Sequence, residues 1–316
     1  MSNKKTIAVV GATGAQGGGL VRAIMNDASS GFTARAITRN VNSDKAKGLA
    51  KLGAEVVVAD IENLESLKKA FQGAYGAYCV TNFWEHFSPE KEIAQATAMA
   101  TAAKDAGLQH VIWSTLEDTR KWVPLSDNRM PTLMGKYKVL HMDAKGEADE
   151  VFREHGVPTT FLLTSFYWEN LIYFGMGPKK GPDGTLAITF PMGDKQLSGI
   201  AAEDIGKCAL GIFKRGREYI GKTVGIAGEH LTCAQMAATL TRVLNQEVHY
   251  NDVLPEVYRS FDFPYADDIG NMFQFFRDFA PYFCGARSID VTRALNPALQ
   301  SFEGWLAQHK SQIPLE

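Results

Sequence analysis

Two clusters in this 316-residue chain carry groups that could do chemistry. The first is Gly11-Ala12-Thr13-Gly14-Ala15-Gln16-Gly17, set between the apolar run Thr6–Val10 and the apolar stripe Leu20, Val21, Ile24 and Met25. Strand, glycine turn and helix in that order form a phosphate cradle. Gly11 permits the tight turn, Gly14 lets the backbone approach a pyrophosphate, Gly17 lets helix and strand pack closely, and the helix N-terminus offers free N–H groups. The pattern implies a bound dinucleotide. The second cluster is Tyr137-Lys-Val-Leu-His141-Met-Asp-Ala-Lys145. His141 and Lys145, four apart, share a helical face, and Tyr137 lies one turn further back on roughly that face. A lysine so placed can hold a nicotinamide ribose, while an imidazole or phenol beside it exchanges a proton with a substrate oxygen. Two readings stay open. Either His141 or Tyr137 supplies the acid of a reductase, or Lys145 only anchors the cofactor and no proton donor is placed.

The second strand, Thr33–Thr38, ends in Arg39-Asn40, where an NAD site usually has a carboxylate for the ribose 2′-OH. A guanidinium can instead fork onto a 2′-phosphate. NADP(H) is therefore the expected cofactor. Further contacts are expected from Asp60 and Ile61 around the adenine. Thr81, Asn82 and Phe83 follow the fourth strand, and Tyr167, Glu169 and Asn170 stand beside the nicotinamide. No metal is expected.

Elements must hold these groups in place. Strands are expected at Glu55–Ala59, Ala77–Val80, His110–Ser114 and Thr159–Leu163, with helices at Ser43–Lys51, Leu64–Phe71, Pro89–Ala106 and Lys136–His155. The alternation implies an α/β, Rossmann-type doubly wound parallel sheet. Residues 1–165 would form the NADP-binding domain. Residues 166–316 would form a smaller α/β lobe packed on it, with strands free to return to the main sheet. That lobe has a loop at Gly175–Gly184, a strand at Thr185–Phe190, and helices at Ala202–Phe213, Thr232–Leu244 and Ala266–Phe279. Glu117–Thr132 leaves the fifth strand at its ligand edge and is polar and proline-bearing, so it is expected to be a mobile lid with Trp122 over a substrate.

The charge balance of 33 basic and 35 acidic residues argues against a nucleic-acid face. No stretch reaches the ~18 apolar residues of a membrane span, and the N-terminus runs straight into the first strand, leaving no room for a signal peptide. Four scattered cysteines read as reduced thiols, so a cytoplasmic or nuclear protein is expected.

Taken together, GATGAQGG at Gly11–Gly18, TRN at Thr38–Asn40, VTNFWE at Val80–Glu85, HMDAKGE at His141–Glu147, FYWEN at Phe166–Asn170 and DIGNMFQFF at Asp268–Phe276 resemble the NmrA-like family. This is an atypical short-chain dehydrogenase branch, and the resemblance is closest to its HSCARG-type NADPH-sensor members. The resemblance implies NADPH binding, weak or absent dehydrogenase activity, regulation by the NADPH/NADP ratio, and His-x-x-x-Lys in place of Tyr-x-x-x-Lys. A regulatory protein partner or a small-molecule substrate, and a monomer or homodimer, are the matching expectations.

Overall fold

The computed structural model describes residues 4–181 and 183–315; Pro182, in the expected Gly175–Gly184 loop, lies outside them. The first half alternates β1 (Lys5–Val9), α1 (Ala15–Asn26), β2 (Phe32–Thr38), α2 (Asp44–Lys51), β3 (Glu55–Val58), α3 (Leu64–Phe71), β4 (Gly76–Cys79), the single turn α4 (Phe83–His86), α5 (Pro89–Asp105), β5 (His110–Thr115), α6 (Leu140–Glu154) and β6 (Thr159–Leu163). The second half begins with β7 (Phe166–Tyr167), α7 (Asn170–Tyr173), β8 (Lys179–Lys180), β9 (Leu186–Phe190), β10 (Gln196–Ile200), α8 (Ala202–Arg215) and β11 (Thr223–Gly225). It continues through β12 (Glu229–Thr232), α9 (Cys233–Leu244), β13 (Val248–Asp252), α10 (Pro255–Arg259), α11 (Ala266–Asp278), α12 (Ala280–Gly285), α13 (Ile289–Leu295) and α14 (Phe302–His309).

Seven strands form one parallel sheet, ordered β11-β6-β5-β4-β1-β2-β3. This is the doubly wound architecture. Strands covered on both faces must be apolar throughout, and β4 and β5 are buried along their whole length. Helices α1 and α8 cover one face with Leu20, Ile24, Ile205 and Ile212. On the other face lie Leu67, Phe71, Met99 and Phe152 of α3, α5 and α6. The strand order reverses at β1, which pairs with β2 on one side and β4 on the other. Ligands of such sheets sit beyond the carboxyl ends of the strands at this point. One strand from the second half, β11, lies at the sheet edge beside β6. The sheets β12-β10-β7 and β13-β9-β8 pack with the later helices around Trp168, Phe190, Phe273, Phe302 and Trp305.

Two expectations need correction. Helix α6 starts at Leu140, so Tyr137 is not on it. Met134 and Gly135 take positive φ (48° and 67°), and Leu133 bridges to Tyr137 in a tight turn. The Asp143 carboxylate, 0% exposed, accepts the N–H groups of Thr119, Lys138 and Val139 and so fixes where the helix begins. Nor is Glu117–Thr132 a free lid. Glu117 takes both Nη atoms of Arg287 at 2.7 and 2.9 Å. Asn271 and Gln274 of α11 donate to the Pro131 and Arg129 carbonyls, and Trp122 packs on Phe275 and Tyr282. These contacts tie the segment to α6, α11 and α12, which makes it part of the scaffold.

Asp149 of α6 is largely covered behind β5, where its Oδ1 accepts both Trp113 Nε1 at 3.0 Å and Thr115 Oγ1 at 2.7 Å. Burial pushes its carboxyl up to about 7, against the pull of those bonds and of Arg153. A folded value above the unfolded one means folding favours the protonated form. The contribution is full below the unfolded value and is lost as pH rises through about 7. Asp149→Asn keeps the accepting oxygen and never ionises. It should melt several degrees above the parent at alkaline pH and draw level with it only as pH falls to about 4; equal melting temperatures at both would show that the ionised carboxylate is fully compensated.

Candidate functional site

A cavity of about 1270 Å³ opens at the carboxyl ends of the parallel strands. Small-molecule pockets usually span roughly 300–1,000 Å³, so this one has room for a dinucleotide and a second molecule. Its floor is the turn after β1, with Gly11 at φ 64°. A Cβ on Gly17 would stand 2.5 Å from the Gly11 carbonyl oxygen, which is why strand and helix can meet there only through glycine. Gly14 caps α1 with no side-chain bond, and the first turn holds no acid. That leaves the positive end of the helix open to an anion. The Gln16 side chain bonds Tyr167, Tyr78 and Ser114 (the last at 2.8 Å) and ties this turn to β4, β5 and β7. Thr13 and Ala15 complete the floor.

At one end Arg39, Asn40, Ser43, Lys45, Ile61 and Gln95 line the cavity. Arg39 Nη2 lies 2.9 Å from Glu85, both side chains being well exposed at 65% and 48%. The opposite end is built on α6. Lys145 Nζ sits 2.6 Å from Glu92 Oε1 and 2.5 Å from Thr81 Oγ1. Burial works to raise the Glu92 carboxyl, but the Lys145 charge, the His86 ring 3.5 Å away, and the bonds from Lys145 and Thr81 hold it down to about 2. The pair fixes the ammonium at the cavity wall. One turn earlier, His141 Nδ1 lies 2.5 Å from Asp268 Oδ2. Asp268 is fully buried and also takes the Leu140 N–H on its other oxygen. A carboxylate only accepts, so Nδ1 carries a proton. His141 lines the cavity beside Trp84 and Phe83. No described residue bonds its Nε2, which is not among the buried unpartnered atoms and so opens to the cavity. Ser165, Phe166, Tyr167 and Asn170 line the same end. Burial pushes the Tyr167 phenol up to about 12, so it serves as a hydroxyl and not as a base.

The structure therefore brings Gly11, Thr13, Gly14, Ala15, Gln16, Gly17, Arg39, Asn40, Ile61, Thr81, Asn82, Phe83, His141, Lys145, Tyr167 and Asn170 around one cavity. Three other candidates stand apart. Tyr137 faces Arg120 and Lys136, away from the lining. Glu169 turns into the fold, accepting from Ala202 N and Trp305 Nε1. Asp60 accepts the Glu62 N–H in a turn and borders a small hollow adjoining the cavity at Arg39, Ile61 and Gln95, without lining the cavity itself. No residue of Glu117–Thr132 lines the cavity. Sequence reasoning missed Lys45, Ser114, Glu92 and Asp268. Only Asp268 had a signal, its place in the DIGNMFQFF stretch.

A doubly wound chain with its cleft at the switch point and an imidazole–lysine helix on the cleft wall defines a class of α/β proteins. Within it, this chain belongs to the NmrA-like family, whose sequence profile matches residues 3–306. It is 29% identical over 296 residues to an NmrA-like family domain-containing protein of Dictyostelium discoideum, covering 90% of this chain and 92% of that one. It is 30% identical over 291 residues to the NmrA-like oxidoreductase FrzB of Cladobotryum sp, covering 85% and 83%. The negative transcriptional regulator NmrA in complex with NADP superposes with a TM-score of 0.76 at 26% identity, over 96% and 95% of the two chains. NmrA has also been solved with NAD. Citrobacter sp. triphenylmethane reductase shares the fold, with a TM-score of 0.73 at 21% identity over 96% and 99%. Among the described residues no helix is long and apolar enough to cross a membrane.

Proposed function

We propose that this protein binds NADP(H) in the cavity and uses it to reduce a small molecule. The residues fit the cofactor. An uncapped helix end faces the phosphate position, a basic rim of Arg39 and Lys45 faces the 2′-phosphate, and Gln95 Oε1 and Ser165 Oγ, at the two ends, are buried without a protein partner. Lys145 would hold the nicotinamide ribose and Asn170 its carboxamide. The bound cofactor supplies two electrons as hydride.

One observation carries the reductase reading: His141 is oriented by Asp268 with Nε2 turned to the cavity. An imidazole held at Nδ1 by a carboxylate is the arrangement that lets the other nitrogen pass a proton to a substrate oxygen. A pure NADPH sensor, which the family resemblance implied, needs no such donor. NADPH oxidation with a panel of carbonyl, enone and imine compounds separates the two. Turnover supports the reductase; cofactor binding with no turnover across the panel supports the sensor.

The rim sets cofactor choice. Arg39→Ala should weaken NADPH binding about tenfold and leave NADH binding unchanged, since an exposed charge-assisted contact is worth roughly 1–2 kcal/mol. Glu85→Gln, by releasing the guanidinium, should tighten NADPH severalfold. Fluorescence titration measures both. Equal affinity of the parent for NADPH and NADH would show that the 2′-phosphate is not read.

A further inference from the structure

We propose that the part of the cavity beyond His141 takes an uncharged, flat aromatic carbonyl compound. This rests on the reductase reading and names its substrate class. The chamber walls include Phe174, Met176, Tyr258, Phe261, Met272 and Phe276. Tyr258, Met272 and Phe276 are otherwise buried in the second lobe, so their cavity-facing surfaces belong to a packed wall. Aromatic faces favour stacked or edge-on π systems. The charged lining residues from these segments, Lys179 and Asp262, are exposed and stand at the rim. The walls formed by these segments hold no charged group in the interior, so a ligand carboxylate or ammonium seated against them would lose its hydration without a countercharge to replace it. The polar group at the chamber's inner boundary is His141 Nε2, suited to one carbonyl oxygen. In the reaction the carbonyl carbon accepts the hydride and the π pair moves to oxygen. The oxygen takes the Nε2 proton of His141 in its imidazolium form, and the ring keeps its Nδ1 proton on Asp268. The ketone becomes a secondary alcohol as NADPH becomes NADP⁺, and solvent returns the proton to His141.

The test uses the full chain saturated with NADP⁺ and a matched pair, 2-acetylnaphthalene and its 6-carboxylate, with binding followed by thermal shift and fluorescence. The uncharged ketone should bind at least about tenfold tighter, the price of desolvating an unpaired carboxylate. Met272→Trp, which fills the chamber, should weaken it about tenfold or more while NADP⁺ affinity stays unchanged. Phe174→Ala, at the exposed mouth where folding is not at risk, should weaken it about threefold through lost ring contact. Equal binding of the pair, binding of neither, or indifference to both substitutions overturns the assignment. If the ketone binds but is not reduced by NADPH, the reductase reading fails and the chamber assignment stands. If short aliphatic carbonyls are reduced and the naphthyl ketone does not bind, the reverse holds.

Discussion

His141→Ala is expected to lower kcat for NADPH-dependent reduction about 10²–10⁴-fold, the usual worth of a placed general acid, without changing NADPH affinity. The imidazole sits on the cavity wall with Nδ1 held at 2.5 Å, so its loss removes the proton source but none of the phosphate contacts. Asp268→Asn should lower kcat by at least about tenfold. Both carboxylate oxygens accept, one from His141 and one from Leu140 N, and an amide must turn its NH₂ toward one of those donors. Tyr137→Phe should leave turnover unchanged and cost no stability, because the hydroxyl is buried with no partner and away from the cavity. Steady-state kinetics on the three variants decides the matter. A loss in Tyr137→Phe as large as in His141→Ala would reverse the assignment of the acid.

Arg287→Ala should destabilise the fold by about 3–5 kcal/mol, a melting temperature lower by roughly 10 °C. The guanidinium is wholly buried. It bonds Glu117 twice, donates to the Thr164 and Phe283 carbonyls at 2.8 and 3.2 Å, and lies 3.6 Å from the Phe283 ring centroid. Truncation strands the Glu117 carboxylate in the interior, where most of the cost arises. The double variant Glu117→Gln, Arg287→Met should recover a large part of the loss, since neither side then carries an unpaired charge. Chemical denaturation measures both. A loss of less than about 1 kcal/mol in Arg287→Ala would show that water reaches the pair and the segment is looser than described.

The first-half elements were legible because buried parallel strands must be apolar along their length and the helices between them carry one apolar stripe. Strand β6 and helix α3 fall at the expected residues, Thr159–Leu163 and Leu64–Phe71. The glycine turn was legible for the same local reason. What escaped were polar residues whose partners are remote in sequence. Glu117 read as the start of an exposed loop because Arg287, 170 positions away, gives no local trace. Asp268 is separated from His141 by 127 positions and stood in the sequence only as the first residue of the DIGNMFQFF stretch, with no role attached. Glu169 read as a cofactor ligand until Ala202 and Trp305 claimed both its oxygens. Tyr137 fitted a helical spacing, but the Asp143 carboxylate holds the backbone of residues 138 and 139 and starts the helix one turn later.

The glycine turn, the basic rim and Lys145 all come from the first 145 residues, whereas Tyr258, Met272 and Phe276 come from α10 and α11. The contact that joins these two sets at the reactive end is His141 with Asp268. A chain built on this plan could redraw two helices and reshape the chamber while the cradle for the dinucleotide stayed the same. The residue that could not change freely is Asp268, because its carboxylate, from the second half, holds an imidazole that belongs to the first.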